Sequence, residues 1–311
     1  MPSAAATAVA RRSGARLLAA TAAALLCVMA VAALGHRDAG AQDTGPLVIL
    51  VSNDDGIGSD GIDAVVEALR TRPDTTVIVS APAENQSGSS DKTTPGGASA
   101  APGTTKSGFA GTAVDGFPAD AVQHALDNPG PEGAPDLVIS GSNEGQNIGF
   151  LATLSGTVGA AQTGARAGIP ALAVSQGLGE PPDYPVSVGA AMDWLDGHEA
   201  ALRDGTDTVQ VTSINGPTCT EGTDRGVVEV PHDATPGLDF STQDCTSTME
   251  NPTSDVEAFN NGFISQSILP NDFPEDEAPT TTTTAAPSSA DDAPSTTAAP
   301  SAAALQPTFT G

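Results

Sequence analysis

The middle of the chain alternates short apolar runs with segments of helical spacing. Runs that predict strands lie at 47–51, 76–80, 112–115, 136–140, 169–175 and 209–214. Segments that predict helices lie between them, at 62–69, at 119–126, from 155 onward and at about 186–202. Continuous apolar strands that alternate with helices are typical of a parallel sheet with helices on both faces. The pattern therefore predicts a three-layer α/β fold around a mostly parallel, Rossmann-like sheet.

A long polar stretch at 83–108 interrupts this alternation. Loops of this length are uncommon in compact domains and are usually functional or mobile. We therefore expect the whole of 83–108 to be a functional or mobile loop.

The first 41 residues have the composition of an export signal. Arg11, Arg12 and Arg16 precede an uncharged stretch of 18 residues at 17–34, and small residues occupy 39–41. This pattern favours a signal that is cleaved before Gln42, although 18 apolar residues could also form an uncleaved membrane anchor. We expect cleavage and an extracellular or cell-envelope location.

The other end of the chain, 273–311, is rich in Pro, Thr, Ser and Ala and has almost no large apolar side chains. Such a segment cannot bury enough surface to offset the entropy of ordering, so it is predicted to be disordered. It would serve as an inert spacer or as a glycosylated or tethering segment. The segment between the two ends, 42–272, is long enough for one sizeable α/β domain.

The chain is strongly acidic, with 11 Lys and Arg residues against 38 Asp and Glu residues and a net charge of −27. This balance excludes a general nucleic-acid-binding surface, duplex binding included, and disfavours anionic membranes. An anionic substrate would be repelled at long range, and basic side chains are too few to attract it. A bound metal ion is therefore the expected local cation.

Cleavage before Gln42 would leave two cysteines, Cys219 and Cys245. In an exported protein they are expected to form a disulfide, which would stabilise the fold by about 3 kcal/mol. A zinc site is disfavoured because none of the four histidines lies at ligand spacing from a cysteine.

The first predicted strand ends at two adjacent carboxylates, Asp54 and Asp55, which precede a glycine-rich turn. Such a pair repels itself and loses hydration at the end of a buried strand, and it persists most easily beside a cation. Ligands of open α/β sheets bind at this end of the strands. Capping of the next helix, or an Asx turn, explains the two residues equally well.

Polar side chains also follow two other predicted strands. Ser87 follows the second strand, and Asn143 follows the strand at 136–140. Because the carboxyl ends of parallel strands meet at one edge, these oxygens should lie near Asp54 and Asp55. Two carboxylates, a hydroxyl and an amide oxygen suit Mg²⁺, Mn²⁺ or Ca²⁺.

A candidate phosphate site follows the same strand. Asn147 lies in the asparagine- and glycine-rich turn, and Ser155, Gly156 and Thr157 begin the next predicted helix. A helix start offers hydroxyls and free backbone N–H groups to an anion. A divalent ion beside a phosphate pocket indicates phosphoester hydrolysis.

Six segments of the chain, spanning about 47–269, carry a family resemblance. They are ILVSNDDGIGSDGI, VSAPAENQSGSS, VDGFPADAV, PDLVISGSNEGQNIG, LSGTVGAAQTGARAGIPALAVS and TSDVEAFNNGFISQSILP. Their combination of NDDG, an asparagine-glycine turn and SGT resembles the SurE family of stationary-phase survival proteins. The resemblance implies a metal-dependent 5′/3′-nucleotidase that uses one divalent ion, Mg²⁺ or Mn²⁺, on nucleotides or other small phosphomonoesters. It also implies a homodimer or a larger homo-oligomer.

The resemblance also implies roles for individual residues. The two aspartates of NDDG, Asp54 and Asp55, would be catalytic and bind the metal, and Asp54 would orient or deprotonate the attacking water. Two further metal ligands and four phosphate-binding residues follow from the family motifs. The further metal ligands are Ser87 and Asn143, and the phosphate-binding residues are Asn147, Ser155, Gly156 and Thr157.

Two segments depart from the family pattern. In the family, arginines usually surround the serine of the second loop; here 83–86 are Ala, Glu, Asn and Gln. Acidic and tyrosine residues are often found before SGT; here 150–154 are Phe, Leu, Ala, Thr and Leu. The predicted metal set is intact, so these departures bear on phosphate binding and substrate preference.

Two other functions compete with this interpretation. Residues 56–61 form a literal GxGxxG between a strand and a helix, which is typical of a nicotinamide-dinucleotide-binding oxidoreductase. Against it, Asp54 and Asp55 would lie beside the pyrophosphate, and the second strand ends without the acid that holds a ribose. The other alternative is a non-catalytic exported binding protein with a SurE-like fold.

Overall fold

The computed structural model describes residues 45–273, and within them nine strands form one sheet. The strands are β1 (Leu47–Ser52), β2 (Thr75–Pro82), β3 (Ser99–Thr104), β4 (Ala110–Asp115), β5 (Leu137–Glu144), β6 (Ala171–Gln176), β7 (Val211–Gly216), β8 (Val227–Glu229) and β9 (Ile264–Leu269). The predicted signal at 1–41 and the predicted tail beyond 273 lie outside the described residues, so both stay predictions.

Five α-helices accompany the sheet in the described part of the chain. They are α1 (Asp60–Arg70), α2 (Pro118–Asp127), α3 (Gly156–Arg166), α4 (Tyr184–Arg203) and α5 (Asp255–Asn260), and a 3₁₀ helix spans Gly149–Leu154. None of the helices within 45–273 combines the length and the apolar character that crossing a membrane requires.

The strand order places a topological switch beside β1. The order across the sheet is β3-β4-β2-β1-β5-β6-β7-β9-β8. β1 pairs in parallel with β2 on one side and with β5 on the other. The chain therefore builds the sheet outward from β1 in one direction and then returns to build it in the other. The carboxyl ends of β1 and β5 flank the crevice where such sheets bind ligands.

The helices cover both faces of the sheet. On one face, α1 and α4 bury Ile62, Val66 and Leu195 against the strands. On the other face, α2 and α3 bury Val122 and Val158. The predicted three-layer α/β fold with a mostly parallel sheet is confirmed, and all six predicted strands and four predicted helices are present.

The prediction of a continuous loop at 83–108 is wrong for its second half. Strand β3 lies within it and pairs antiparallel with β4 at the edge of the sheet. Its sequence, SAAPGT, consists of small residues with mostly exposed side chains. An edge strand without a buried face has no alternating pattern, so sequence periodicity could not reveal it.

The last part of the described chain also adds elements that the hydrophobic pattern did not predict. β9 pairs antiparallel with β7, and the three-residue β8 pairs with β9. The Cys219 and Cys245 sulfurs lie 1.96 Å apart and join the loop after β7 to the segment before α5.

Candidate active site

A cleft of about 400 Å³ lies at the carboxyl ends of β1 and β5. The residues that line it come from four separate parts of the chain. They are Asp54, Asp55, Asn85, Ser87, Gly88, Asn143, Glu144, Gly145, Gln146, Asn147, Leu151, Leu154, Ser155 and Leu178. The structure therefore brings six of the eight predicted site residues to one cleft, and the other two, Gly156 and Thr157, lie behind Asp54.

The turn after β1 is held by Asn53. Its Nδ2 donates to the carbonyl oxygen of Gly56 at 2.9 Å and to the Ser59 hydroxyl at 2.8 Å. Gly56 has a φ of +98°, a conformation that favours glycine. Ser59, and neither aspartate, is the N-cap residue of α1. The interpretation of Asp54 and Asp55 as helix caps is therefore wrong.

Asp54 is buried against the start of α3. Its Oδ1 accepts a hydrogen bond from the Thr157 hydroxyl at 2.6 Å. A Cβ on Gly156 would lie 2.8 Å from the Asp54 Cβ, so only glycine permits this approach. Gly156 and Thr157 thus contact the carboxylate, and their predicted contact with phosphate stays a prediction.

Asp55 joins β1 to β5 and to the second loop. Its Oδ2 accepts from the backbone N–H of Glu144 at 2.9 Å, and its Oδ1 accepts from the Asn85 side chain at 3.2 Å. The Asn85 Oδ1 in turn accepts from the backbone N–H of Ser87 at 2.9 Å. Asn85 lies in the same NQSG string as Ser87, which was expected at this edge of the sheet, but no role was predicted for Asn85 itself. The Ser87 side chain is exposed at the rim of the cleft.

The two aspartates have no positively charged partner among the residues that the structure describes. Burial raises the pKa of Asp54, and burial together with the neighbouring Asp54 charge raises the pKa of Asp55 to about 7. Within residues 45–273, no Lys, Arg or His lines the cleft, and Glu144 adds a third carboxylate. A cation bound between the two groups would allow both to ionise at neutral pH.

Asn143 provides a suitable additional ligand. Its Nδ2 donates to the carbonyl oxygen of Gly145 at 2.7 Å, which leaves its Oδ1 as a buried acceptor without a protein partner. The described residues contain no cluster of three or more His, Cys, Asp and Glu side chains that could hold a metal. A cation here would thus rely on two carboxylates and neutral oxygens, a donor set that fits Mg²⁺ or Mn²⁺.

Asn147 and Ser155 form the other side of the cleft. The Asn147 Nδ2 donates to the Ser175 hydroxyl at 2.9 Å, and its backbone N–H donates to the Asn215 side chain at 2.7 Å. The Ser155 hydroxyl accepts from the backbone N–H of Val158 at 3.2 Å and caps α3. The hydroxyl proton of Ser155 and the positive end of the α3 dipole are therefore available to an anion.

The fold is that of an α/β protein with a mostly parallel sheet, and its oxygen-rich cleft lies at the carboxyl edge of that sheet, where proteins of this class bind ligands. The family model described as Survival protein SurE matches residues 49–234. The chain belongs to the SurE family.

Individual relatives agree with this membership. The chain is 39% identical over 178 residues to "5′-nucleotidase SurE" of Halobacterium salinarum, covering 54% of this chain and 64% of that protein. It is 39% identical over 176 residues to "5′-nucleotidase SurE" of a Synechococcus species, strain RCC307, covering 55% and 62%. The chain thus spans less than two thirds of these relatives' own length.

A solved structure shows the same fold. The SurE protein from Aquifex aeolicus matches with a TM-score of 0.59 and 26% sequence identity, covering 73% of this chain and 95% of that one. The competing dinucleotide-binding and non-catalytic interpretations receive no support from these matches. Gly61 of the GxGxxG string has a packing role, because a Cβ there would lie 1.8 Å from the carbonyl oxygen of Ser142.

Proposed function

We propose that this protein is a divalent-metal-dependent phosphomonoesterase that hydrolyses nucleoside monophosphates to nucleosides and phosphate. The observation that carries the proposal is the pair of the buried Asp54 and the half-buried Asp55, which has no basic side chain of the described residues beside it, in a cleft that also holds the unpaired Asn143 Oδ1. The relatives named 5′-nucleotidase support the choice of substrate class.

Asp54, Asp55 and Asn143 would hold the metal, with Ser87 as a fourth ligand from the rim. A divalent cation bound there would neutralise the carboxylates and polarise a phosphoryl oxygen. Mg²⁺ and Mn²⁺ both suit this oxygen set.

Other residues of the cleft would bind the phosphate, position the Asp54 carboxylate and activate the water. Asn147 and Ser155 bind the phosphate, while Gly156 and Thr157 position the Asp54 carboxylate and complete the helix start. Asp54 would orient the attacking water and accept its proton. The water oxygen bonds to phosphorus as the ester P–O bond breaks, and the proton that Asp54 has taken from the water passes to the departing alkoxide, so that the alcohol and hydrogen phosphate are released.

The setting of the enzyme is part of the proposal. The composition of 1–41 supports export with cleavage before Gln42. The proximity of the Cys219 and Cys245 sulfurs supports a disulfide in the exported protein. Resemblance to the SurE family supports a homodimer or a larger homo-oligomer.

Hydrolysis assays on the purified chain test the proposal. The substrates are p-nitrophenyl phosphate and 5′- and 3′-nucleoside monophosphates, with Mn²⁺ or Mg²⁺ and with or without EDTA. We expect metal-dependent turnover that falls about 1000-fold in Asp54→Asn, because a water-orienting carboxylate is lost. Asp204→Asn, an exposed aspartate at the end of α4, is the matched control and should retain activity. Inactivity of the wild type with every metal and substrate would contradict the proposal.

A further inference from the structure

Two of the most exposed large apolar side chains of the described residues lie on the wall of the candidate cleft. Leu154 is 47% exposed and Leu178 is 52% exposed, and the half-buried Leu151 lies with them along the same cleft. We call these three residues the leucine wall. Their side chains present apolar surface to solvent beside the carboxylates of Asp54 and Asp55, where a bound molecule would cover it.

The backbone of the leucine wall is fixed by hydrogen bonds. The carbonyl oxygen of Leu154, at the end of the 3₁₀ helix, accepts from the backbone N–H of Ser90 at 3.0 Å. The backbone N–H of Leu178 donates to the Gln146 side chain at 3.2 Å, and the Leu178 carbonyl accepts from the Gln243 side chain at 2.8 Å. The leucines are therefore exposed on a preorganised surface, which favours ligand binding because little entropy is lost.

Outside the candidate phosphate site, the described residues of the cleft offer no positively charged group to a second anionic group of a ligand. Among the described residues that line it, none is Lys, Arg or His. Glu144 also lines the cleft, and its backbone N–H donates to Asp55, so this acidic residue lies beside the candidate metal site. A second negative charge on a ligand would remain unpaired and would be repelled by Glu144.

Building on the proposed function, we infer that the leucine wall is the subsite for the ester group of the substrate. It selects phosphomonoesters whose ester group is uncharged and presents a flat apolar surface, as a nucleobase or a phenyl ring does. Phosphosugars and esters with a second anionic group are poor substrates, because they leave the leucines uncovered or place a charge beside Glu144.

Matched synthetic esters test this selection with Mn²⁺ present. The pair is 2-phenylethyl phosphate and ethyl phosphate, which have similar primary-alcohol leaving groups and differ by the ring. We expect kcat/KM to be at least about tenfold higher for the phenylethyl ester, chiefly through KM, since apolar contacts of this size give such ratios. Adding a carboxylate at the para position of the ring should abolish the advantage.

Substitutions of single leucines test whether the leucine wall causes the preference for the phenylethyl ester. Leu154→Asn and Leu178→Asn should each reduce the ratio of kcat/KM for phenylethyl over ethyl phosphate several-fold. Leu238→Asn makes the same change at a leucine that is 36% exposed but does not line the cleft, and it should leave the ratio unchanged.

The outcomes separate this inference from the proposed function. Turnover of both esters with equal kcat/KM, or an unchanged ratio in both cleft variants, would overturn the role of the leucine wall and leave the phosphatase proposal intact. Absence of turnover of either ester, together with inactivity on nucleotides, would overturn the proposed function and this inference with it.

Discussion

Two carboxylate sites of this protein are similarly buried but differ in how the protein compensates their charge. Asp54 has 2% of its surface exposed and Asp255 has 1%. The pKa of Asp54 is raised, whereas the pKa of Asp255 is lowered. Burial alone would raise both values. The difference therefore lies in the partners that surround each group.

Asp255 is fully satisfied by the protein. Its oxygens accept hydrogen bonds from the backbone N–H groups of Gly149, Asp233 and Val256, each at 2.9 Å, and from the His232 ring at 2.8 Å. These donors outweigh the cost of burial and lower the pKa of Asp255. The carboxylate connects α5 to the turn that follows Asn147, which is a structural role.

The pair Asp54 and Asp55 is only partly satisfied. The Thr157 hydroxyl donates to Asp54 and the Glu144 backbone N–H donates to Asp55, but no basic residue in the described part of the chain lines their cleft. The comparison teaches that burial alone does not identify a functional carboxylate. A functional carboxylate is instead identified by an incomplete set of hydrogen-bond and charge partners, because this indicates that a ligand completes the set.

The largest expected contrast in stability is between substitutions at the two sites. Asp255→Asn should lower the free energy of unfolding by about 3 kcal/mol, because it breaks a buried charge-assisted network. Asp55→Asn should cost little or stabilise the metal-free protein, because it removes a charge that repels Asp54. Urea unfolding in EDTA measures both values. Equal losses in the two variants would show that the protein compensates the two sites alike.

Binding of Mn²⁺ should raise the free energy of unfolding by somewhat less than Asp255→Asn lowers it. At 100 times the dissociation constant, Mn²⁺ should raise the free energy of unfolding of the wild type by about 2.7 kcal/mol. Asp55→Asn should lose most of this increase, whereas Asp255→Asn, though less stable, should keep it. Unfolding curves with and without Mn²⁺ check this. If Asp55→Asn kept the full Mn²⁺-dependent increase in the free energy of unfolding, the ion would bind at another site.

The smallest expected effect is a difference in pH dependence. The pKa of Asp55 is raised from 3.8 to about 7, so the folded state binds more protons than the unfolded state between about pH 4 and 7. The free energy of unfolding of the metal-free protein should therefore fall as the pH rises through this window. The unscreened shift corresponds to about 4 kcal/mol, and solvent screening of the half-buried carboxyl group reduces the expected fall to about 2 kcal/mol.

Variants separate the two carboxylates in the same pH series. Asp55→Asn should reduce the fall between pH 4 and 7, and the raised pKa of Asp54 accounts for the fall that remains. The pKa of Asp255 is lowered in the folded state, so this group stabilises the protein above its unfolded pKa, and the stabilisation is lost as the pH falls through its folded pKa. Asp255→Asn should therefore weaken the fall in the free energy of unfolding at acid pH. A wild-type stability that rises from pH 4 to 7 and is unaffected by Asp55→Asn would contradict the assignment.

Much of the fold and of the cleft could be predicted from the sequence. The apolar runs and helical spacing predicted the central strands and helices, because those elements have clear buried faces. The edge strand β3 and the short β8 have none, so they were missed. The rule that strand ends meet at one edge was sufficient to bring Asp54, Ser87 and Asn143 to a common cleft.

Contacts between side chains could not be predicted in the same way. Nothing in the SGT string shows that the Thr157 hydroxyl donates to Asp54, or that Gly156 is needed for the close approach of the two elements. The exposure of Leu154 and Leu178 depends on how the 3₁₀ helix and the loop after β6 pack. These properties arise from tertiary structure, which a single sequence does not display.

The most direct test of the account is anomalous diffraction from a crystal soaked in Mn²⁺. The account predicts one strong peak per chain, bounded by carboxylate oxygens of Asp54 and Asp55 and by the Asn143 Oδ1, at about 2.0–2.3 Å. The same map would show whether the Ser87 hydroxyl completes the set. A fully soaked crystal with no peak in this cleft, or with its strongest peak away from Asp54 and Asp55, would contradict the central claim.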